Sequence, residues 1–388
     1  MHVQEKQLNI LFLSSWFPHK GAPTLGNFVH RHAQAISRKH NVFVLFLAPN
    51  LTKNSTNPSI EHRNFEGIDT TTVYFNKSGL SFSNRIKAFN VGLNQLVTER
   101  NIEFDIIHQN VIWPEGWQGV FAKRKLKIPM IISEHWTGYH QAERGKQPLK
   151  VKLLSNFVAS SAEFITPVSD DLGLAMRKFG LRSDYITVPN VVDTDIFILK
   201  KKEAKPLRFL HVSSLYEDQK NITGILRAWK SASDEFSDIH LTIGGDGPWE
   251  QVRKHARDLN INEGSISFFG EKPWEEIAQL MQDSHVLLLF SNYENLPCVI
   301  IEAMASGMHI LSTKVGGISE HISNDIGILI EKGNETELIA AIRKLHNEYP
   351  FSKEEHLRKI AEQKFSMDSV AAQFDSVYQK AISKFKGE

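Results

Sequence analysis

The chain has 388 residues, of which 41% are hydrophobic, and a formal net charge of +1. This length favours two domains over one, and the near-neutral charge argues against a general attraction to nucleic acid. The single cysteine, Cys298, excludes an internal disulfide and is typical of a reducing compartment. No apolar run reaches the ~20 residues that span a bilayer, and the run at residues 8–13 is too short for a signal-peptide core. These features predict a cytoplasmic protein whose contact with a membrane is at most peripheral.

The first segment predicts the opening of a nucleotide-binding fold. Residues 8–14 and 40–47 are apolar enough for buried strands, and residues 27–39 between them have a helical pattern. Gly26 and Asn27 close the loop that enters this helix. A strand, a glycine-containing loop, a helix and a second strand form a βαβ unit. The absence of a G-x-G-x-x-G motif disfavours a dinucleotide ligand.

The alternation continues to about residue 190. Residues 50–66 are polar and are predicted to be a loop, and Ser169 is predicted to be a helix N-cap. His108 and His135 each lie near the carboxyl end of a predicted strand. The further strands are predicted at 70–75, 104–108, 128–133 and 164–168, and the further helices at 83–99 and 113–125.

A second α/β alternation follows a short charged linker at residues 200–205. Two glycine turns, one with Gly245 and Asp246 and one with Gly316 and Gly317, follow predicted strands and lead into helices. Free amides at such helix starts favour anions. The strands are predicted at 207–213, 239–243, 265–270, 285–290 and 309–313, and the helices at 221–233 and 273–282.

Two glutamates follow the apolar strand at residues 285–290. Pro297 suits the first turn of a helix that ends near Gly307, so Glu294 is predicted in a loop and Glu302 inside the helix. Helical side chains lean toward the N-terminus, where ligands bind outside the carboxyl ends of parallel strands. Carboxylates for sugar hydroxyls beside the amides of residues 295–298 for phosphate describe a nucleotide-sugar site. Two solvated surface carboxylates would give the same spacing.

The frame Glu294-x-x-Pro-x-x-x-x-Glu302-Ala-x-Ala-x-Gly307 resembles the Glu-x7-Glu signature of the family 4 retaining glycosyltransferases. The resemblance implies the GT-B fold, an α/β architecture with two doubly wound Rossmann-like domains facing across a cleft. It places an acceptor-binding domain at 1–195, a nucleotide-sugar-binding domain at 206–365 and a terminal helix at 366–388 that crosses back to the first domain. The amphipathic pattern of residues 367–378 is consistent with that helix.

The resemblance also implies residue roles. Glu302 would hold the ribose, Glu294 the donor sugar and Lys220 the diphosphate, while His135 would lie near the reacting sugar. The remaining donor-binding positions would be Gly26, Asn27, Gly245, Asp246, Asn295, Leu296, Gly316 and Gly317. Family members carry an arginine where this chain has Ser214, which removes one cation from the diphosphate site; Lys314 is a candidate replacement.

The function that follows is transfer of a sugar, with retention, from a nucleoside diphosphate sugar to a glycan or lipid-linked acceptor in surface polysaccharide or glycoconjugate synthesis. The family needs no metal, and the sequence shows neither a metal-ligand cluster nor a need for another cofactor. The basic stretches 123–127 and 141–152 are either solvated faces or contacts with an anionic inner membrane surface. A GT-B nucleotide-sugar epimerase and a non-catalytic nucleotide-sugar-binding protein are the alternatives, and the choice between a nucleophile and front-face attack stays open.

Overall fold

The computed structural model describes residues 6–50, 58–75, 82–140, 147–203, 205–351 and 353–388. The chain divides into two compact units: Met1–Val191 with Met367–Glu388, and Val192–Ser366. Each unit is built on one largely parallel sheet with its own hydrophobic core. The fold class predicted from the sequence, two Rossmann-like α/β units, is therefore confirmed. None of the helices in these ranges combines the length and hydropathy needed to cross a bilayer.

The first unit contains a seven-stranded sheet in the order β3-β4-β2-β1-β5-β6-β7. Its strands are β1 (Asn9–Ser14), β2 (Asn41–Pro49), β3 (Ser59–Phe65), β4 (Ile68–Phe75), β5 (Ile106–Asn110), β6 (Met130–Glu134) and β7 (Phe164–Pro167). Its α-helices are α1 (Asn27–Ser37), α2 (Phe82–Asn94), α3 (Trp117–Leu126), α4 (Leu149–Ala159) and α5 (Asp170–Phe179). Every described strand pairing is parallel except that of β3 with β4.

The predicted loop at residues 50–66 is wrong over its second half. Residues 51–57 lie outside the described ranges, but Ser59–Phe65 forms the antiparallel edge strand β3. Its residues are exposed or only part-buried, and β3 is the outermost strand of the sheet. A strand that packs so little carries no apolar run, which is the signal that identified the other strands.

The predicted N-cap of α5 is confirmed, and a glycine that the sequence analysis did not name ends the same helix. The Ser169 hydroxyl accepts from the Leu172 amide at 3.1 Å and caps α5. At the other end of α5, Gly180 has φ 103°, a conformation that favours glycine.

The second unit contains a six-stranded parallel sheet in the order β10-β9-β8-β11-β12-β13. Its strands are β8 (Leu207–Val212), β9 (Ile239–Gly244), β10 (Ile266–Phe269), β11 (Val286–Leu288), β12 (His309–Thr313) and β13 (Gly327–Ile330). Its α-helices are α6 (Glu217–Lys220), α7 (Ile222–Glu235), α8 (Trp249–Asp258), α9 (Trp274–Asp283), α10 (Cys298–Ala305), α11 (Glu335–Glu348) and α12 (Glu354–Phe365). Because β9, β8, β11 and β12 are neighbours and parallel, the four loops that follow them leave the sheet side by side at one edge.

The last helix, α13 (Met367–Lys386), belongs to the first unit. It buries the apolar face expected from the sequence, since Val370, Phe374, Val377 and Tyr378 are each at most 2% exposed. The Tyr378 hydroxyl lies 2.7 Å from His108 Nδ1 in β5. Apolar burial and a buried hydrogen bond thus fix α13 against the first sheet.

Candidate functional site

The second unit places most of the predicted residues on the four adjacent loops. Lys220 ends the short helix after β8, and Gly245 and Asp246 follow β9. Glu294, Asn295 and Leu296 lie between β11 and α10, and Gly316 and Gly317 follow β12. Residues that are up to 97 positions apart in the sequence therefore share one edge of the sheet.

The glycines on these loops allow backbones to cross. A Cβ atom at Gly245 would lie 1.8 Å from the Ser213 carbonyl oxygen, and one at Gly316 would lie 1.9 Å from the Glu294 carbonyl oxygen. Both residues also have positive φ, 144° and 55°. The amide of Gly317 donates to the Asn295 carbonyl at 2.8 Å. This amide therefore supports the loop between β11 and α10 that carries Glu294, here called the glutamate loop, instead of facing a phosphate.

Glu294 and Lys220 form a buried ion pair at the centre of these loops. The Lys220 ammonium lies 2.5 Å from Glu294 Oε1, and the two side chains are 12% and 6% exposed. The Gln219 amide donates to the other carboxylate oxygen at 3.3 Å. The sequence predicts both charged residues as ligand contacts, but it does not predict that they bind each other. A diphosphate near Lys220 would compete with Glu294 for this ammonium.

Two further contacts fix the short helix α6 that carries Gln219 and Lys220. The Asn292 amide donates to the Gln219 carbonyl at 2.7 Å, and its side chain donates to the Asp218 carbonyl at 3.0 Å. Asn292 thus joins the glutamate loop to α6 independently of the ion pair. Nothing in the local sequence marks Asn292 or Gln219 for this role, because their partners lie more than 70 positions away.

His211, at the end of β8, fixes the loop that contains Ser214. Its Nδ1 donates to the Leu288 carbonyl at 2.8 Å, and its Nε2 lies 2.7 Å from the Ser213 hydroxyl, which accepts from the Leu215 amide at 3.0 Å. Burial, with a smaller contribution from the nearby Lys220 ammonium, lowers the pKa of His211 to about 4, although the hydrogen bond to the Leu288 carbonyl opposes the change. A neutral imidazole therefore sets the backbone turn at this position.

Helix α10 positions Glu302, which is 3% exposed. Pro297 is the N-cap, one position before the first turn where the sequence placed it, and Gly307 has the positive φ of 66° expected at the helix end. Lys202 donates to the Ser306 and Gly307 carbonyls at 2.9 and 3.3 Å, and Arg358 donates to the Ala305 carbonyl at 3.1 Å. Two cations thus bind the carbonyl groups at the C-terminus of the helix, where the helix dipole favours positive charge.

The first unit gathers the other predicted residues at the carboxyl edge of its own sheet. Gly26 is the N-cap of α1, with φ 69°, and a Cβ atom there would lie 2.5 Å from the Trp16 carbonyl oxygen. Asn27 is the first helical residue, and the next residue, Phe28, lies 4.6 Å from the His135 ring. The start of α1, which carries Gly26 and Asn27, therefore lies near His135.

His135 is surrounded by rings and is held neutral. The His32 ring lies 5.1 Å away, and its Nε2 donates to the Pro189 carbonyl at 3.0 Å. Both ring nitrogens of His135 are buried, and this burial lowers the pKa of His135 well below its usual value. Burial likewise lowers the pKa of His32 to about 4. At neutral pH His135 can offer a hydrogen bond but no positive charge.

The backbone around His135 is held by Glu134, a residue the sequence did not single out. Its buried carboxylate accepts from the amides of Ile112, His135 and Trp136 at 2.9, 2.8 and 2.8 Å. Burial raises the pKa of Glu134, although these hydrogen bonds oppose the rise. A carboxylate at the end of a buried strand was the available signal for such a role.

Two further residues that the sequence analysis weighed have structural partners. His108 is fully buried and bonded to Tyr378 and Ser133 at 2.7 Å each, which is a structural arrangement. Lys314 lies 3.2 Å from Glu331 in an exposed ion pair. Within the described residues, no group of three or more His, Cys, Asp or Glu side chains has the arrangement of a metal site.

The comparisons with known proteins agree with this architecture. The family model described as "Glycosyl transferases group 1" matches residues 193–364, and the model described as "Glycosyltransferase Family 4" matches residues 25–196. Glycogen synthase of Mycobacterium tuberculosis is 25% identical over 361 residues, which cover 87% of this chain and 85% of that protein.

Solved structures share the fold at low sequence identity. Sucrose-phosphate synthase from Thermosynechococcus elongatus is 17% identical, with a TM-score of 0.76 over 98% of this chain and 100% of that chain. HepE from Anabaena, solved in complex with UDP, is 18% identical, with a TM-score of 0.75 over 96% and 100% of the two chains. The two Rossmann-like units and these structural neighbours define the GT-B fold. The two family models together span residues 25–364, and the chain belongs to the family 4 glycosyltransferases.

Proposed function

We propose that the protein transfers a sugar, with retention and without a metal, from a nucleoside diphosphate sugar to a glycan or lipid-linked acceptor. The observation that carries the proposal is the buried Lys220–Glu294 pair at the meeting point of four loops. One side chain of the pair suits a diphosphate and the other suits sugar hydroxyls. The related HepE was solved with UDP and with UDP-glucose, which supports a nucleotide-sugar donor here.

The donor roles divide along the loops of the second unit. The Lys220 ammonium would stabilise the negative charge that develops on the leaving diphosphate. Glu294, released from Lys220 by that phosphate, would accept hydroxyl groups of the donor sugar, with Gln219 keeping the carboxylate in place. Glu302, held on α10 between its N-cap and the Lys202 and Arg358 contacts, would bind the ribose hydroxyls.

The first unit would bind the acceptor. Neutral His135 would lie near the reacting sugar and would accept or donate a hydrogen bond to an uncharged sugar hydroxyl. A buried neutral imidazole suits this role because it adds no charge that would need a partner. The synthesis of a surface polysaccharide or another glycoconjugate would use such a reaction, and glycogen synthase is a polysaccharide-forming relative.

Donor consumption with and without an acceptor tests the proposal. Purified protein is incubated with UDP-, GDP- and ADP-sugars, and the released nucleoside diphosphate is measured alone and with a panel of oligosaccharides and membrane lipid extract. If the protein is a transferase, the release of nucleoside diphosphate should rise when an acceptor is added. If the reaction proceeds with retention, NMR should show that the product has the anomeric configuration of the donor. Acceptor-independent conversion to an altered free sugar would indicate an epimerase, and binding of a donor without turnover would indicate a non-catalytic protein.

A further inference from the structure

Helix α4 (Leu149–Ala159) carries an apolar stripe on its exposed side. Leu149, Leu153 and Phe157 are 71%, 63% and 45% exposed. They are spaced four residues apart, so they lie along one face of the helix, and we call them the α4 stripe. The opposite face packs inward through Val151, Ser155 and Val158, which are at most 3% exposed. The helix thus has two apolar faces, one packed against the unit and one exposed to solvent.

The cations around the α4 stripe are exposed, and no acid accompanies them on the two helices. Lys150 and Lys152 flank the stripe on α4, and Arg124 of the adjacent α3 lies 5.4 Å from the Phe157 ring centre. Neither α3 nor α4 contains an Asp or Glu residue. Lys123 is excluded from this set, because it lies 2.5 Å from Glu163 and donates to the Ser161 carbonyl at 2.7 Å.

The α4 stripe begins near the edge of the sheet that carries His135. Strand β6 ends at Glu134 and the parallel strand β7 begins at Phe164, so the intervening helix runs back along the sheet. Leu149 therefore lies at the carboxyl edge, and Phe157 lies toward the opposite edge. An acceptor bound beside His135 would lie at the same end of the unit as Leu149.

We infer that the α4 stripe and its three cations dock the protein on an anionic lipid bilayer. Exposed leucine and phenylalanine side chains enter the boundary between headgroups and acyl chains, while the lysine and arginine heads stay among the phosphates. Each cation near an anionic leaflet strengthens the attachment, and salt weakens it. The further step, that the bilayer presents a lipid-linked acceptor to the first unit, rests on the proposed function; the docking itself does not.

Vesicle sedimentation tests the docking on the full chain without any donor or acceptor. Vesicles of phosphatidylcholine alone and with one third phosphatidylglycerol are compared at low and high salt. We expect binding to the anionic vesicles that falls at high salt, and a partition coefficient lowered ~tenfold or more by L149E/L153E. K150Q/K152Q is expected to lower it ~tenfold or more, because about 1 kcal/mol is lost per cation. A circular dichroism melt verifies that the variants remain folded.

Two matched controls make the result specific. L174E changes a leucine of α5 that is 54% exposed, and K254Q/K344Q removes two exposed lysines of the second unit; both are expected to bind like the unmodified protein. Absent binding to anionic vesicles, equal binding by L149E/L153E, or an equal loss in either control would overturn the proposal. So would a dimer in light scattering that L149E/L153E converts to monomer, because the stripe would then bind a second copy. Failure to bind vesicles leaves the transferase proposal standing, and an inactive protein that binds vesicles contradicts only the transferase proposal.

Discussion

The loops at the carboxyl edges of the two sheets carry different kinds of side chain, although both sheets are largely parallel and both have glycines where backbones approach closely. At the edge of the second sheet, a lysine and a glutamate bind each other and each could instead bind a charged or polar ligand group. At the edge of the first sheet, His135 and His32 are buried among rings and kept neutral. The same architecture thus provides a charged site and an uncharged one. The difference matches the proposed ligands, since a nucleoside diphosphate sugar is anionic and a sugar hydroxyl is not.

The largest expected effect is the loss of activity when Lys220 is removed from the loops of the second sheet. Lys220→Ala is expected to reduce kcat/KM by roughly three powers of ten, since one preorganised donor supplies up to ~4 kcal/mol to a developing charge. Kinetics with the preferred donor measure this loss. Lys314→Ala, which removes an exposed cation paired with Glu331, is the matched control and is expected to stay within a few-fold of the unmodified enzyme.

Because Lys220 also pairs with Glu294, K220A can lose stability as well as activity. A second variant separates the two effects. Removal of Lys220 leaves Glu294 buried without its cation, which destabilises the protein independently of catalysis. K220A/E294Q removes that buried charge, so it is expected to regain stability relative to K220A but not activity. A K220A enzyme within tenfold of the unmodified rate would show that another cation acts on the diphosphate.

Acid should destabilise both units through their buried imidazoles. His32 and His211 have pKa values lowered to about 4 from 6.5, so the unfolded chain binds their protons first as the pH falls. The stabilisation is present above pH 6.5 and is lost as the pH falls from 6.5 to about 4. At pH 5 each imidazole is expected to cost about 2 kcal/mol of unfolding free energy.

Urea unfolding at pH 7.5 and 5.0 measures this loss. His211→Gln is expected to reduce the difference between the two pH values by about 2 kcal/mol, the contribution of one imidazole. His356→Gln, which changes a histidine that is 51% exposed, serves as the control and is expected to leave the difference unchanged. An unchanged difference in His211→Gln would contradict the neutral imidazole at the Ser213 turn.

The two glutamates should separate affinity from turnover. Glu302→Gln is expected to weaken binding of the free nucleotide by ~1–3 kcal/mol, the range for a hydrogen bond to a charged group. Glu294→Gln should lower kcat more than nucleotide affinity, because its proposed contact is with the sugar. Calorimetric titration of the nucleotide and steady-state kinetics measure the two effects, with exposed Glu331→Gln as control. Tight nucleotide binding by Glu302→Gln would show that the ribose assignment is wrong.

The smallest expected effect is that of chelation. Transfer should proceed at an unchanged rate in excess EDTA, because the proposed diphosphate contact is the Lys220 ammonium and not a metal. The assay is donor turnover before and after chelation. Loss of transfer that Mn²⁺ or Mg²⁺ restores would contradict the proposed metal-independent site.

Sequence patterns predicted the two sheets because most strands are buried on both faces and appear as apolar runs, such as Leu207–Val212. They failed for Ser59–Phe65, where a sparsely covered edge strand has no such run. For the site, the turn glycines and the two glutamates could be predicted because each belongs to a short sequence motif next to a predicted strand. The pairing of Lys220 with Glu294 and the support from His211 were not visible, because each joins residues more than 70 positions apart through tertiary packing.

The central claim is that the loops of the second unit bind a nucleoside diphosphate sugar. Thermal unfolding of the protein with a panel of such sugars tests it most directly, since a ligand at 100 times its Kd stabilises the fold by ~2.7 kcal/mol. We expect at least one sugar nucleotide to raise Tm, and the shift to shrink in Glu302→Gln and to be retained in Glu331→Gln. If no member of the panel raises Tm, or if the shift persists undiminished in both Glu302→Gln and Lys220→Ala, the claim is contradicted.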